Sequence, residues 1–199
     1  MDTQQALPPR QRPAEALAAW AGRTPALALA RRCELACLRG LHGTARHPWV
    51  LRLMVLASRA GNGPLWGLLI ALQVWPAGRP WLALALLAMG GVHVALVGWL
   101  KTAFARARPF ECWDDVQALE ARLDRHSFPS GHTLHALAFS LVLCAQDPRW
   151  GWLMAPLSVA IGLSRVVLGL HYPSDVLAAA LLGLMGGSLC LLLLRQFGG

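Results

Sequence analysis

From residue 65 onward the chain is a series of long apolar runs, and its charges gather at the joints between them. The runs cover residues 65–75, 81–100, 131–146, 151–168 and 175–194. A helix needs ~20 mostly apolar residues to cross a bilayer. Residues 81–100 meet that length, with Trp81 and Trp99 at the two ends, where amphipathic rings favour the interface. Residues 65–75 are short and recruit their flanks. The pattern predicts an all-α fold, a polytopic membrane helix bundle of about five spans, with tight turns at 76–80 and 147–150.

The first third of the chain has a different texture. Residues 1–13 are polar and carry Pro8, Pro9 and Pro13, too little to bury, and are expected to form a disordered tail without the apolar core of a signal peptide. Over residues 14–62, alanine and leucine are interrupted by Gly22, Pro25 and several arginines. That mixture predicts amphipathic helices lying at the interface. Arg52 and Arg59 share one helical face there, and Leu51, Val55 and Leu56 another. Gly61-Asn62-Gly63-Pro64 reads as a breaker opening a membrane domain over 63–199.

Composition narrows the function classes. The 199 residues are 56% hydrophobic and 14% charged, which fits one integral membrane domain and leaves no room for a separate soluble one. The net charge of +8 sits largely on arginines set beside tryptophan and leucine. They suit anionic lipid headgroups as partners; no nucleic-acid partner is expected, since no base-reading motif accompanies them. The five cysteines are odd in number and mostly lie in apolar runs, so no disulfide framework is expected. Cys33 and Cys37 read as small hydrophobes rather than metal ligands.

Three charged clusters remain to be explained. Residues 101–109 read KTAFARARP, residues 129–132 read PSGH, and residues 164–175 read SRVVLGLHYPSD. Taken singly, each has a plain explanation: Arg165 at a helix end, His171 in a core, Asp175 as a helix cap. Their placement argues otherwise. Successive spans alternate direction, so Lys101 closing one span, His132 opening the next, Arg165 and His171 closing the third and Asp175 opening the last all fall on one side of the membrane.

Together the clusters form a phosphoryl cradle. Guanidinium offers two parallel donors and ammonium a point charge, so Arg108, Arg165 and Lys101 supply both kinds. Ser130 and Gly131 start a helix, whose unpaired N–H groups and dipole attract an anion. Asp175, four residues after His171, can fix the tautomer that leaves the other ring nitrogen nucleophilic, and His132 can protonate the leaving oxygen from the opposite side. No carboxylate cluster suggests a metal, and no cofactor is expected. Residues 110–128 hold five of the ten acidic residues, and Val116, Leu119 and Leu123 recur at a spacing that fits a short amphipathic helix over the site mouth as well as a solvated connection. Arg106 reads as a surface or headgroup charge, His126 as a further headgroup contact, His135 as structural, and His93 as hydrogen-bonded to a neighbouring helix.

The order lysine-arginine, serine-glycine-histidine, arginine-histidine-aspartate resembles the signature of the superfamily joining type-2 phosphatidic acid phosphatases, other bacterial lipid phosphatases and vanadium haloperoxidases. The resemblance covers roughly residues 60–195, with no substitution at a motif position. It implies a phosphohistidine intermediate at His171, hydrolysed by water, and a lipid phosphate substrate such as undecaprenyl diphosphate, phosphatidate or phosphatidylglycerol phosphate. Vanadate-dependent halide oxidation fits less well, because those enzymes are soluble and share only the anion cradle. A non-catalytic scaffold or anion transporter is the competing class. The resemblance also implies a multi-pass protein of the cell membrane with an extracytoplasmic site. The arginine count opposes that side: Arg46, Arg52, Arg59, Arg122 and Arg125 stand against Arg79, Arg149 and Arg195.

Overall fold

A computed structural model describes residues 25–75, 77–121 and 124–197. The expected tail over 1–13 and the start of the first interfacial helix lie outside those residues. Among the described residues the fold is all-helical. The principal helices are α1 (Pro25–Gly43), α2 (Pro48–Ala60), α3 (Gly63–Val74), α4 (Pro80–Phe104), α5 (Gly131–Gln146), α6 (Gly151–Val167) and α7 (Pro173–Phe197). Proline stands in the first turn of α2, α3 and α4, where its missing N–H costs nothing and its fixed φ favours the helix.

Helices occur at all five places where the apolar runs predict them, but their lengths differ. Three stretches are long and apolar enough to cross a membrane: Pro80–Cys112, Pro148–Val167 and Pro173–Gln196. The 12-residue α3 reaches about 18 Å and the 16-residue α5 about 24 Å at 1.5 Å per residue, short of a ~30 Å hydrocarbon layer. Helix α5 can be short because protein surrounds it. It packs most extensively on α7 and α6 and also touches α4, and Leu134, Ala136, Ala138, Val142 and Leu143 are wholly buried. The outer helices bury only an inner stripe. On α4, Leu82, Leu86, Met89, His93, Val97 and Lys101 face inward, whereas Leu84, Leu87, Val92, Val94 and Trp99 are exposed, as lipid contact requires.

Close approach of α5 and α7 rests on Gly183 and Gly187. A Cβ on Gly183 would lie 2.5 Å from the Leu134 carbonyl oxygen, and one on Gly187 would lie 3.1 Å from that of Ala138. Small residues four apart let two helix backbones meet in this way where lipid supplies no hydrophobic drive between helices. The N-terminal helices serve the same end of the bundle as the charged clusters. Helix α2 lies along α6, and α1 packs Leu38 against Val116, Val166 and Tyr172.

One element that the spacing allows is absent. Residues 113–121 contain turns and extended chain instead of a helix. Their backbone groups pair outward: Leu119 N donates to Leu168 O at 3.1 Å, and Gln117 N donates to His42 Nε2 at 3.3 Å. Those partners on α1 and after α6 outbid the helical ladder that the spacing of Val116 and Leu119 allows.

Gly183→Val is expected to force α5 from α7 and cost about 1–3 kcal/mol. Gly91→Ala, at a position where a Cβ meets nothing within 4 Å, should be near neutral. Thermal unfolding of the two variants in detergent checks the contrast.

Candidate active site

Lys101 lies in the last turn of α4, buried, with Nζ donating to Asp124 Oδ1 at 2.9 Å and to His126 O at 2.8 Å. The helix stops at Ala105, whose φ of 43° turns the chain back across its own end. Arg108 therefore arrives beside Lys101. Its side chain is 1% exposed: Nη1 donates to Leu170 O at 2.7 Å, and Nη2 donates to Asp124 Oδ1 at 2.8 Å. One carboxylate oxygen is thus shared by the two cations. Burial alone would raise the pKa of Asp124, but the hydrogen bonds and charges of Lys101 and Arg108 prevail and hold it below its ordinary value.

Beyond α6 the chain makes a tight turn in which Gly169 adopts φ +73°, and a Cβ there would collide with Gln117 O. The backbone N–H groups of Leu170 and His171 both donate to Arg165 O, at 3.1 and 3.0 Å. This turn presents Nε2 of His171 to Arg108 Nη1 at 3.5 Å. Because guanidinium can only donate, Nε2 faces it with its lone pair, and the ring proton belongs on Nδ1. Burial pushes the pKa of His171 down to about 4; Asp175 pulls the other way, and the charges of Arg165 and Arg108 reinforce the fall.

The pairing of His171 with Asp175 is looser than the four-residue spacing suggests. Nδ1 stands 3.7 Å from Asp175 Oδ2, beyond hydrogen-bond reach, and has no other partner. Asp175 Oδ2 instead accepts from Tyr172 N at 2.9 Å, and Oδ1 accepts from Arg106 Nη1 at 2.6 Å. Arg106 is therefore no surface charge. It bridges Asp175, Ser174 and Glu34 and lies 4.0 Å over the Tyr172 ring.

At the N-terminus of α5, the buried hydroxyl of Ser130 caps the helix, accepting from Thr133 N at 3.4 Å and Thr133 Oγ1 at 3.0 Å. Ser130 N donates to Asp175 O at 3.3 Å, which ties this cluster to the third one. Gly131 is the first helical residue, next to His132. His132 Nε2 lies 2.8 Å from Asn62 Oδ1, an acceptor, so the ring proton is on Nε2. The Gly61-Asn62 turn packs on that ring, and a Cβ on Gly61 would lie 2.8 Å from His132 Cδ2. Arg165 is buried, bonded through Nη1 to Ser58 of α2 and 3.6 Å from Glu120 Oε2.

The motif residues of all three clusters thus lie at one end of the bundle. Their partners Ser58, Asn62, Arg106, Glu120 and Asp124 do not stand out in the sequence, since each is an ordinary turn or surface residue type there. His126 contributes its backbone carbonyl to Lys101. His135 bonds back to Gly131 O at 2.8 Å, as a structural role requires. His93 departs from expectation: it makes no hydrogen bond to a neighbouring helix, its Nδ1 is unpartnered, and its ring meets that of His135 edge-on at 5.8 Å. Among the described residues, no group of three or more His, Cys, Asp or Glu is placed to hold a metal ion.

Comparison with known proteins gives the chain its family. An undecaprenyl-diphosphatase of Sulfolobus acidocaldarius is 30% identical over 132 residues, which span 66% of this chain and 64% of that protein's length. The undecaprenyl-diphosphatase BcrC of Bacillus subtilis is 30% identical over 155 residues, 76% of this chain and 79% of the relative. The crystal structure of Aquifex aeolicus LpxE superposes with a TM-score of 0.70 at 27% identity, covering 79% of this chain and 93% of that one. Residues 81–198, which hold all three clusters, match the model of the PAP2 superfamily, and the chain belongs to that superfamily.

Proposed function

We propose that the protein is a membrane-embedded lipid phosphatase that removes the terminal phosphate of a lipid phosphate or diphosphate through a phosphohistidine intermediate. The observation that carries this reading is the Arg108 fork, with one nitrogen 2.8 Å from a carboxylate oxygen shared with Lys101 and the other 3.5 Å from His171 Nε2. An anion site and an unprotonated imidazole nitrogen lie side by side, as attack on phosphorus needs.

In this reading Lys101, Arg108 and Arg165 grip the phosphoryl oxygens, and Ser130 and the first N–H groups of α5 at Gly131 add neutral donors. His171 Nε2 attacks phosphorus, and the P–O bond to the lipid breaks. His132 takes up a second ring proton when the anionic substrate binds and, as the imidazolium, gives its Nε2 proton to the departing oxygen, so the lipid leaves as an alcohol, or as a monophosphate if it entered as a diphosphate. His132, now neutral and lacking that proton, takes one from water, whose hydroxide cleaves the P–N bond and releases inorganic phosphate. Asp175 holds the positive charge that His171 carries while phosphorylated. The substrates named for the two undecaprenyl-diphosphatases support a diphosphate on a polyprenyl tail. Exposed apolar faces on α4, α6 and α7 keep such a tail in lipid while its headgroup reaches the cradle.

We place five spans in the membrane, α1 and α2 at the interface, and the site on the extracytoplasmic side of the cell membrane. Exposed arginines such as Arg46, Arg52 and Arg59 on the site side bind lipid headgroups in this reading, which removes the basis for counting them as cytoplasmic.

His171→Ala is expected to lower phosphate release from a lipid diphosphate by roughly 10³-fold or more, and His132→Ala by roughly 10²–10⁴-fold. Equal release from wild type and His171→Ala would leave only anion binding. Histidine-selective NMR, with His171→Ala to assign the signal, should show the His171 ring neutral down to a midpoint near 4, protonating only as pH falls through it. A reporter active only in the cytoplasm, fused after α7, should be active, because α7 runs away from the site and carries the C-terminus to the other face.

A further inference from the structure

Asp124, outside the motifs, is held by two of the cradle's cations at once. Its Oδ1 sits 2.9 Å from Lys101 Nζ and 2.8 Å from Arg108 Nη2. The two cations are far more deeply buried than the carboxylate. Arg108 is 1% exposed and anchored on Leu170 O, whereas the Asp124 side chain is 43% exposed, at the open edge of the site. Glu120 repeats the arrangement less tightly, 3.6 Å from the buried Arg165. Both carboxylates belong to one segment pinned at each end, by Leu119 N on Leu168 O and Ser127 N on Arg106 O.

We propose that Asp124 is a built-in competitor for the phosphate seat, and that this competition makes the site select terminal phosphoryl groups over the phosphodiesters of surrounding lipid. The inference rests on the phosphatase reading above. A tethered carboxylate acts at an effective concentration of about millimolar or more, so a ligand binds only if it outcompetes that carboxylate. A terminal phosphate carries about −1.5 to −2 charge at pH 7 and three acceptor oxygens, and it displaces a single carboxylate. A phosphodiester carries one negative charge, shares it over two free oxygens and is no better a ligand than Asp124 itself. The surrounding bilayer presents phosphodiesters in great excess, so an open cradle of three cations would be saturated by headgroups that it cannot cleave.

The test is a titration of purified wild type, Asp124→Asn and Asp124→Glu with inorganic phosphate, read as the rise in thermal midpoint, which requires no turnover. Asp124→Asn should half-saturate at roughly tenfold lower phosphate than wild type, with Asp124→Glu close to wild type. In the same proteins, phosphatidylglycerol added to mixed micelles should inhibit hydrolysis of a lipid diphosphate in Asp124→Asn and leave wild type little affected. Half-saturation that is unchanged or shifted to higher phosphate in Asp124→Asn would overturn the proposal and make Asp124 a positioning partner of Lys101 and Arg108. Should Asp124→Asn fail to fold, Asp124→Ser carries the same prediction. Failure of the phosphatase reading is a separate result, visible as equal release by wild type and His171→Ala while the phosphate titration stays readable.

Discussion

Arg108 has its guanidinium almost wholly out of water, at the end of a bundle whose other surfaces are hydrocarbon-like. A charge so placed costs several kcal/mol in desolvation, and acceptors for its two terminal nitrogens offset that cost, although Nε has no partner among the described residues. The acceptors are the Leu170 carbonyl and Asp124, both outside the regular helices. That requirement shapes the chain around it. The left-handed Ala105 ends α4 where it does, the Gly169 turn aims the Leu170 carbonyl, and residues 113–121 give up helical bonds to cross the site. Arg165 imposes the same demand on α2, from which Ser58 answers it.

The packing of α5 is the second constraint. Because α7 meets it through glycines, the N-terminus of α5 stands close to that of α7, and Ser130 N reaches Asp175 O. The two helix N-termini then flank the same space, and their dipoles add to the basic side chains.

The helices and the convergence of the three clusters were legible from the sequence because both follow from apolar run length and from the alternation of span direction. The roles of Lys101 and Arg108 as neighbours were legible for the same reason. The counter-charges were not. Asp124 and Glu120 lie in a polar connection whose apolar spacing fits a helix as well as an irregular strap, and only the distant acceptor at Leu168 and the acceptor-seeking Arg108 decide between them. Asn62 sits in a glycine-proline breaker, where asparagine is expected for the turn itself. Arg106, two residues from Arg108, carries no periodic mark, yet it sets the charge around Asp175. Partners fixed by tertiary contact over sixty or more residues leave no local pattern, as Arg106 with Asp175 and His132 with Asn62 show.

The charges at the site nearly balance. Lys101, Arg106, Arg108 and Arg165 are matched by Glu34, Glu120, Asp124 and Asp175, with Arg59 at the rim beside Glu120. A nearly neutral cluster can be kept at a membrane surface while gathering few lipid counter-ions. A dianionic phosphate upsets that balance unless a carboxylate moves away. The four carboxylates differ in their freedom to do so. Asp175 is buried and bonded to the backbone of Tyr172, and Glu34 is bonded to Ser174 on α7. Glu120 is 15% exposed, against 43% for Asp124. Charge exchange at the site therefore runs through the one acid at the open edge, so the identity of residue 124, outside the family motifs, bears on which anions the motifs can hold.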